Sequence, residues 1–237
     1  MKERLNKYLA LSGVASRRGA DQFIADGKIK INGKVVTELG TLVDVDNDTV
    51  SCEDIIVKPV SNYSYVLFYK PKGCITTVKD ELGRKTIYDF LDLKIAGLFP
   101  VGRLDYETEG MLLLTNDGDL AYALTHPSHE VSKTYIAKVE GEMPENKLAQ
   151  LRKGVEIDGQ KTNRSKVKLL EYVDNISKVQ ITITEGRNRQ VRKMFEMVEK
   201  EVIFLKRVAI GDLKLGGLSR GAYRFLRDDE VTYLKKL

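Results

Sequence analysis

A chain of 237 residues with 42% hydrophobic and 31% charged content has apolar material for one mid-sized domain, or for a small domain and a larger one. Its two cysteines, Cys52 and Cys74, and its two histidines, His126 and His129, exclude a disulfide framework and leave zinc clusters and Ser-His-Asp chemistry poorly supplied, so no metal is expected and any catalysis falls to carboxylates and basic groups. A net charge of +5 points to a polyanionic partner, and the lack of a long apolar run or a signal-peptide pattern predicts a cytoplasmic protein without membrane contact.

Leu5, Tyr8 and Leu9 stand at i, i+3 and i+4 and predict a short helix from Arg4 to Leu9. Ser16 is an N-cap for a second helix from Arg17 to Ala25, with Ala20, Phe23 and Ile24 inward and Gly27 as its stop. Gly19 inside that helix costs about 1 kcal/mol. Lys28-Ile29-Lys30-Ile31 alternates, and Asn32-Gly33 is a hairpin turn before Val35-Val36. Residues 1–34 carry eight basic side chains, whereas residues 38–54 carry six acids and no base, so this region has a basic half suited to nucleic acid. Asp46-Asn47-Asp48 reads as a turn and Thr49 to Cys52 as a strand. Periodicity is lost over DIIVKPVSNYS, and a linker at about residues 57–63 gives domains of residues 1–60 and 64–237.

From Tyr65 the pattern changes. Val66 to Tyr69 is a strand ended by Lys70-Pro71-Lys72-Gly73, and Thr86 to Leu91 is a short helix. Two apolar runs, Leu98 to Val101 and Met111 to Leu114, read as buried strands. Between them Gly102-Arg103-Leu104-Asp105 and the polar Tyr106 to Glu109 form a loop held at both ends by core, the kind of place where reactive groups sit. Asp119 to Thr125 is helical. Val131 to Val139 is a strand with Tyr135, Ala137 and Val139 on one face. Pro144 opens a helix that Gly154 ends, Asp158-Gly159 is a turn, and Val167 to Tyr172 and Val179 to Thr184 are strands. In EGRNRQVRKMF, residues 185–195, Val191, Met194 and Phe195, continued by Val198, form the apolar stripe of an amphipathic helix. Arg192 borders that stripe, where its fork suits a carboxylate, while Arg189 and Lys193 point to the polar side. His126 and His129 read as structural or surface residues.

GRLD followed by T-x-G-x-L-L-L-T-N-D-G, with K-P-x-G, Lys133-Thr134-Tyr135 and EGRNRQVRKM in order, resembles the RsuA/RluB family of bacterial ribosomal RNA pseudouridine synthases. The resemblance implies that Asp105 is the catalytic nucleophile, that Tyr135 stacks on a flipped uracil or moves a proton, and that Arg192 compensates the charge of Asp105. Leu205, in I-F-L-K-R-V-A-I-G, is the apolar floor, and Arg103, Arg187, Arg189 and Lys193 are expected to meet substrate phosphate. Residues 2–50, through R-L-x-K-Y-L, S-R-R and G-K-I-K-I-N-G-K, resemble the RNA-binding domain named after ribosomal protein S4. That likeness implies that Arg4, Lys7, Arg17, Arg18, Lys28 and Lys30 grip RNA backbone. Gly19 and Glu199 depart from these patterns; at the second position the family commonly has Gly.

The implied fold is α+β: a small S4-like domain, then a catalytic domain on a mixed, largely antiparallel sheet flanked by helices, with the cleft across its face. The implied activity is isomerisation of a uridine to pseudouridine in ribosomal RNA by a monomer, without a cofactor. The wording of EGRNRQVRKM is closer to RluB-type large-subunit (23S) enzymes than to RsuA-type small-subunit (16S) ones. Two other classes are weighed. A non-catalytic RNA-binding or ribosome-assembly protein would share the first domain, but not an intact GRLD, Tyr135 and Arg192. A glycosidase would need a second placed carboxylate, for which Glu107 and Glu109 are the nearby candidates.

Overall fold

Eight side chains spread over the first fifty residues close one small core: Leu5, Tyr8, Leu9, Ala20, Ile24, Ile29, Val43 and Val50 are each at most 2% exposed. The elements run β1 (Lys2–Arg4), α1 (Leu5–Leu11), α2 (Arg17–Ala25), β2 (Ile29–Ile31), β3 (Lys34–Val36), β4 (Leu42–Asp44), β5 (Val50–Cys52) and β6 (Ile55–Ile56), and the core side chains come from α1, α2, β2, β4 and β5. Helix α2 has the predicted bounds, and the Ser16 side chain accepts from Gly19 N as the N-cap. The hairpin of β2 and β3 turns at Asn32 (φ 50°) and Gly33 (φ 79°), and the sheet runs β3-β2-β5-β6. The computed structural model describes residues 1–237 except 61, 78, 79 and 81. It divides into two units, Met1–Ser64 with Leu93–Phe99, and Tyr65–Asp92 with Pro100–Leu237. The excursion over Leu93–Phe99 reaches Gly13, where an added Cβ would meet that of Ala96 at 3.0 Å. Nothing in the periodicity near residues 57–63 signals it.

The second unit is built on a nine-stranded sheet and a separate two-stranded one. Its strands are β7 (Tyr65–Lys70), β8 (Phe99–Val101), β9 (Glu109–Thr115), β10 (Lys133–Glu140), the short pair β11 (Glu156–Ile157) and β12 (Gln160–Lys161), β13 (Lys166–Val173), β14 (Ile176–Ile183), β15 (Val202–Ile210), β16 (Leu213–Lys214) and β17 (Tyr223–Phe225). The helices are α3 (Gly118–Thr125), α4 (Glu145–Lys153), α5 (Gln190–Glu196) and α6 (Asp228–Leu234). The main order is β13-β14-β10-β15-β9-β7-β17. All of these pairings are antiparallel except β15–β9, which is parallel. The architecture is therefore the expected mixed, largely antiparallel sheet with helices. Strands β7 and β9 are buried on both faces, whereas β14 alternates, with Val179, Ile181 and Ile183 on the buried side; α4 packs on β13, and α5 on β11 and β15. Each fully buried side chain such as Phe68 or Phe195 contributes about 1.5–3 kcal/mol by leaving water.

The parallel joint is short, pairing Lys206 with Glu109 and Arg207 with Gly110. Gly110 has φ +110°, and a Cβ there would lie 2.2 Å from Arg207 O and 2.8 Å from Arg207 N. Only glycine permits that approach. At the end of α5, Glu199 holds φ +54°, the left-handed conformation that glycine adopts at little cost. This explains why glycine is common at that position in the resembled family. Gly110→Ala is expected to destabilise the protein by about 3 kcal/mol or more, through overlap with backbone that cannot move aside. Glu199→Gly gives up only the exposed pair with Lys147 (3.3 Å), which is worth little, and should gain up to about 1 kcal/mol. Urea unfolding of the two variants checks both signs.

Candidate active site

The loop between β8 and β9 is tied down by its own main chain. Thr76 Oγ1 donates to Leu104 O (2.8 Å), Lys70 Nζ to Asp105 O and Thr108 O (3.0 Å each), Gly73 N to Tyr106 O (3.0 Å), and Arg192 Nη2 to Glu107 O (3.1 Å). Five successive carbonyls thus have partners from other elements or from the turn's start, and the loop's course is set without using the Asp105 side chain. Lys70 is fully buried, and its third hydrogen bond goes to Pro71 O (3.0 Å), so all three donors are used. Burial pushes the pKa of its ammonium down.

Asp105 is partly buried and borders a cavity of about 250 Å³. Tyr135 and Leu205, 8% and 3% exposed, form part of its wall together with Ile183, Val191 and Ile210. The strand register brings these side chains to one face. Tyr135 on β10 lies opposite Arg207 on β15, and Ala137 lies opposite Leu205. Five cations, Arg103, Lys133, Arg187, Arg189 and Arg207, line the same cavity, and Asp105 is its one carboxylate among the described residues. Asp105 and Arg103 also border a second opening of about 330 Å³ with Thr76, Arg84, Tyr106 and Asn188.

Not every expected residue meets there. Arg192 is buried, and its guanidinium donates to Val202 O (2.7 Å) as well as to Glu107 O. Among the described residues it forms no ion pair with Asp105, so its grip is on the loop's backbone, where direct charge compensation was expected. Lys193 pairs with Asp158 (2.6 Å) away from the cavity. Arg187 reaches the cavity wall but spends its donors on Gln160 O (3.1 Å), Lys161 O (2.9 Å) and Glu185 (3.1 Å), which fastens the β11–β12 hairpin. Arg103 and Arg189 are exposed at the rim. In the first unit Arg4, Arg17 and Arg18 are exposed without an ion pair among the described residues. Lys7 pairs with Glu3 (2.7 Å), Lys28 with Glu53 (3.0 Å) and Lys30 with Asp54 (2.5 Å).

Three cations had no site role from the sequence: Lys70, Lys133 and Arg207. Lys70 closes strand β7, Lys133 opens β10 and Arg207 lies inside β15. A cation in or beside an apolar strand is itself a signal, since it either breaks the strand's burial or is buried with partners. A second catalytic carboxylate is not among the lining side chains. Glu109 is 2% exposed and held by Tyr69 OH and by Arg220 (3.0 Å), while Glu107 points to solvent. Among the described residues the Asp105 cavity thus lacks the carboxylate pair of a glycosidase, and Asp80, which borders the second opening, is ion-paired with Arg84 (2.8 Å).

A family model described as RNA pseudouridylate synthase matches residues 64–197, and one described as S4 domain matches residues 3–50. The chain belongs to the RNA pseudouridylate synthase family. Over 99% of its length it is 47% identical to ribosomal large subunit pseudouridine synthase B of Bacillus subtilis, of which it covers 96%. It is 37% identical to the protein of the same name from Haemophilus influenzae, across 99% of this chain and 68% of that one. Among solved structures, a crystal structure of a pseudouridylate synthase matches with a TM-score of 0.71 and 34% identity, covering 98% of this chain and 99% of that chain. The chain is thus an enzyme of this family, with the S4 domain ahead of the synthase fold.

Lys133 shows how unusual the synthase cavity is for a cation. Its pKa is pushed down to about 8, first by burial and second by the charge of Arg207. An unfolded lysine keeps its proton to about pH 10.4. Between those values the unfolded chain binds more protons than the native one, so rising pH favours the native state. The unfolding free energy of wild type minus that of Lys133→Met should therefore increase from pH 8 to roughly 10. Urea titrations at each pH measure it, and a flat or falling difference would show that Lys133 is solvated like a surface lysine.

Proposed function

We propose that this enzyme isomerises a uridine of large-subunit ribosomal RNA to pseudouridine, with Asp105 as nucleophile and without metal or cofactor. The observation that carries this reading is the placement of Asp105. It is the one carboxylate lining a small cavity among the described residues, on a loop whose five carbonyls from Leu104 to Thr108 are engaged. The isomerisation breaks N1–C1′, turns the base and rejoins it through C5. It needs an ionised carboxylate at the sugar–base junction, a platform for the detached ring and exclusion of water. A cavity of about 250 Å³ is smaller than pockets for drug-sized ligands and suits one extruded base. Tyr135 gives that base a stacking face and a hydroxyl, and Leu205 gives it an apolar floor. Arg192 positions the loop by holding Glu107 O, and Arg103 and Arg189 at the rim meet the flanking phosphates.

The large-subunit assignment rests on the names of the Bacillus subtilis and Haemophilus influenzae relatives. Residues 1–60 are read as the domain that positions RNA, mainly through Arg4, Arg17 and Arg18, since Lys7, Lys28 and Lys30 are already paired with acids. The enzyme is read as a monomer acting in the cytoplasm. No helix among the described residues is long and apolar enough to cross a membrane.

The reading is tested in a deletion strain complemented with wild type or with Asp105→Asn. Asn is nearly isosteric and is equally at home in a turn, so a merely structural Asp105 would tolerate it. Carbodiimide primer extension should find one 23S stop with wild type that is missing with Asp105→Asn, at unchanged protein level. Appreciable modification by Asp105→Asn would sink the nucleophile, and a stop in 16S would move the substrate to the small subunit. In vitro, Arg17→Ala with Arg18→Ala should weaken RNA binding several-fold and lower the slope of log affinity against log salt by about 1–2, because fewer counterions are released. An unchanged slope would put the RNA on another face of this domain.

A further inference from the structure

Arg207 is 3% exposed, yet its guanidinium is only partly used. Nε donates to Met111 O (2.7 Å), which stitches β15 to β9, whereas Nη2 is buried without a hydrogen-bond partner among the described residues. Lys133 stands two residues before Tyr135, the register partner of Arg207, and donates to Val131 O (3.0 Å). Both line the Asp105 cavity, and the burial of Arg207 with the half-burial of Lys133 raises their mutual repulsion. A fold does not gain from gathering two cations behind one carboxylate unless something anionic enters between them. The phosphates of an extruded nucleotide stay with the backbone at the rim, near Arg103 and Arg189. What enters the depth of the cavity is the ring.

Resting on the synthase reading above, we propose that Arg207 and Lys133 form a cationic subsite for the detached pyrimidine ring, taking the negative charge that the ring carries while it is separate from the sugar. When N1–C1′ breaks heterolytically the bonding pair stays on N1, and the charge spreads to O2 and O4. A carboxylate oxygen of Asp105 closes on C1′. After the ring turns, the C5 carbon attacks C1′ and displaces the carboxylate. The C5 proton then leaves to water and N1 takes one up, so the product is an isomer of the substrate with the same charge. Pre-placed donors in a dry site stabilise such a transient anion far more than water does, and the loss of one typically costs a factor of 100–1,000. Arg207 and Lys133 are on this view catalytic residues in contact with the ring. The same two side chains also favour an intact ring that presents its O2 or O4.

The test compares uridine with 5-fluorouridine at the target position of a 23S-derived stem-loop. Fluorine withdraws electrons and makes the ring a better leaving anion, so cleavage of the fluorinated substrate depends less on the subsite. In single turnovers Lys133→Met should cleave the uridine bond about 100-fold more slowly than wild type. With 5-fluorouridine the deficit should shrink to about 10-fold or less. RNA affinity should stay within about three-fold in both cases. Lys133→Arg should recover most of the rate. Lys133→Gln and Arg207→Lys are run beside it, each checked by thermal unfolding, so that one misfolded variant does not decide the result. Equal deficits on the two substrates, or no deficit, would overturn the subsite while leaving the synthase intact. Failure of wild type to convert uridine would instead overturn the synthase reading, and the subsite with it.

Discussion

The molecule turns on one close approach, that of Gly110 to the backbone of Arg207. Two antiparallel half-sheets, β13-β14-β10-β15 and β9-β7-β17, are joined there by two residue pairs of parallel register. Their backbones come so near that a single methyl group would overlap Arg207 O. One half-sheet carries the strand that follows the Asp105 loop. The other carries Tyr135 and Leu205. The joint therefore sets the distance between the Asp105 carboxylate and the walls of its cavity, and the Arg207 side chain reinforces it by bonding Met111 O (2.7 Å). A site assembled from two sheets is only as exact as the seam between them.

Around that seam the protein spends buried cations on main-chain carbonyls. Lys70 holds Asp105 O and Thr108 O, and Arg192 holds Glu107 O. Charged donors to carbonyls are stronger than neutral ones, and they leave the one carboxylate unclaimed. A direct ion pair between Arg192 and Asp105 would hold the side chain as well as the loop. The observed arrangement holds the loop alone and leaves the carboxylate facing the cavity. The cost is desolvation of the cations, which burial of Lys70 and Lys133 makes visible as lowered pKa values.

The first unit shows a different use of charge. Its sequence separates a basic stretch from an acidic one, but β2 lies beside β5, which places Glu53 and Asp54 against Lys28 and Lys30. Asp44 and Asp46 take the terminal amine of Met1. Strand pairing thus neutralises part of the basic stretch and leaves Lys2, Arg4, Arg17, Arg18 and Lys34 as its exposed cations without an ion pair among the described residues. Surface pairs of this kind add little stability, yet they decide which cations are left for a partner.

Local chemistry was readable from the sequence wherever it acts over a few residues. The Ser16 cap, the Asn32-Gly33 and Asp158-Gly159 turns, the inward face of β14 and the buried stripe of Val191, Met194, Phe195 and Val198 all follow from spacing and turn residues. The motifs also singled out Asp105, Tyr135 and Leu205, which the structure brings to the lining of one cavity. The excursion of Leu93–Phe99 to the first unit, the parallel seam at Gly110, and the roles of Lys70, Arg192 and Arg207 belong to the tertiary structure. Those depend on which carbonyl or strand edge arrives from far along the chain: 96 residues separate Arg207 from Met111, and 85 separate Arg192 from Glu107. Periodicity reports which side of a strand or helix is buried. It carries no information about what the buried donor will find there, because that partner is supplied only when distant segments pack.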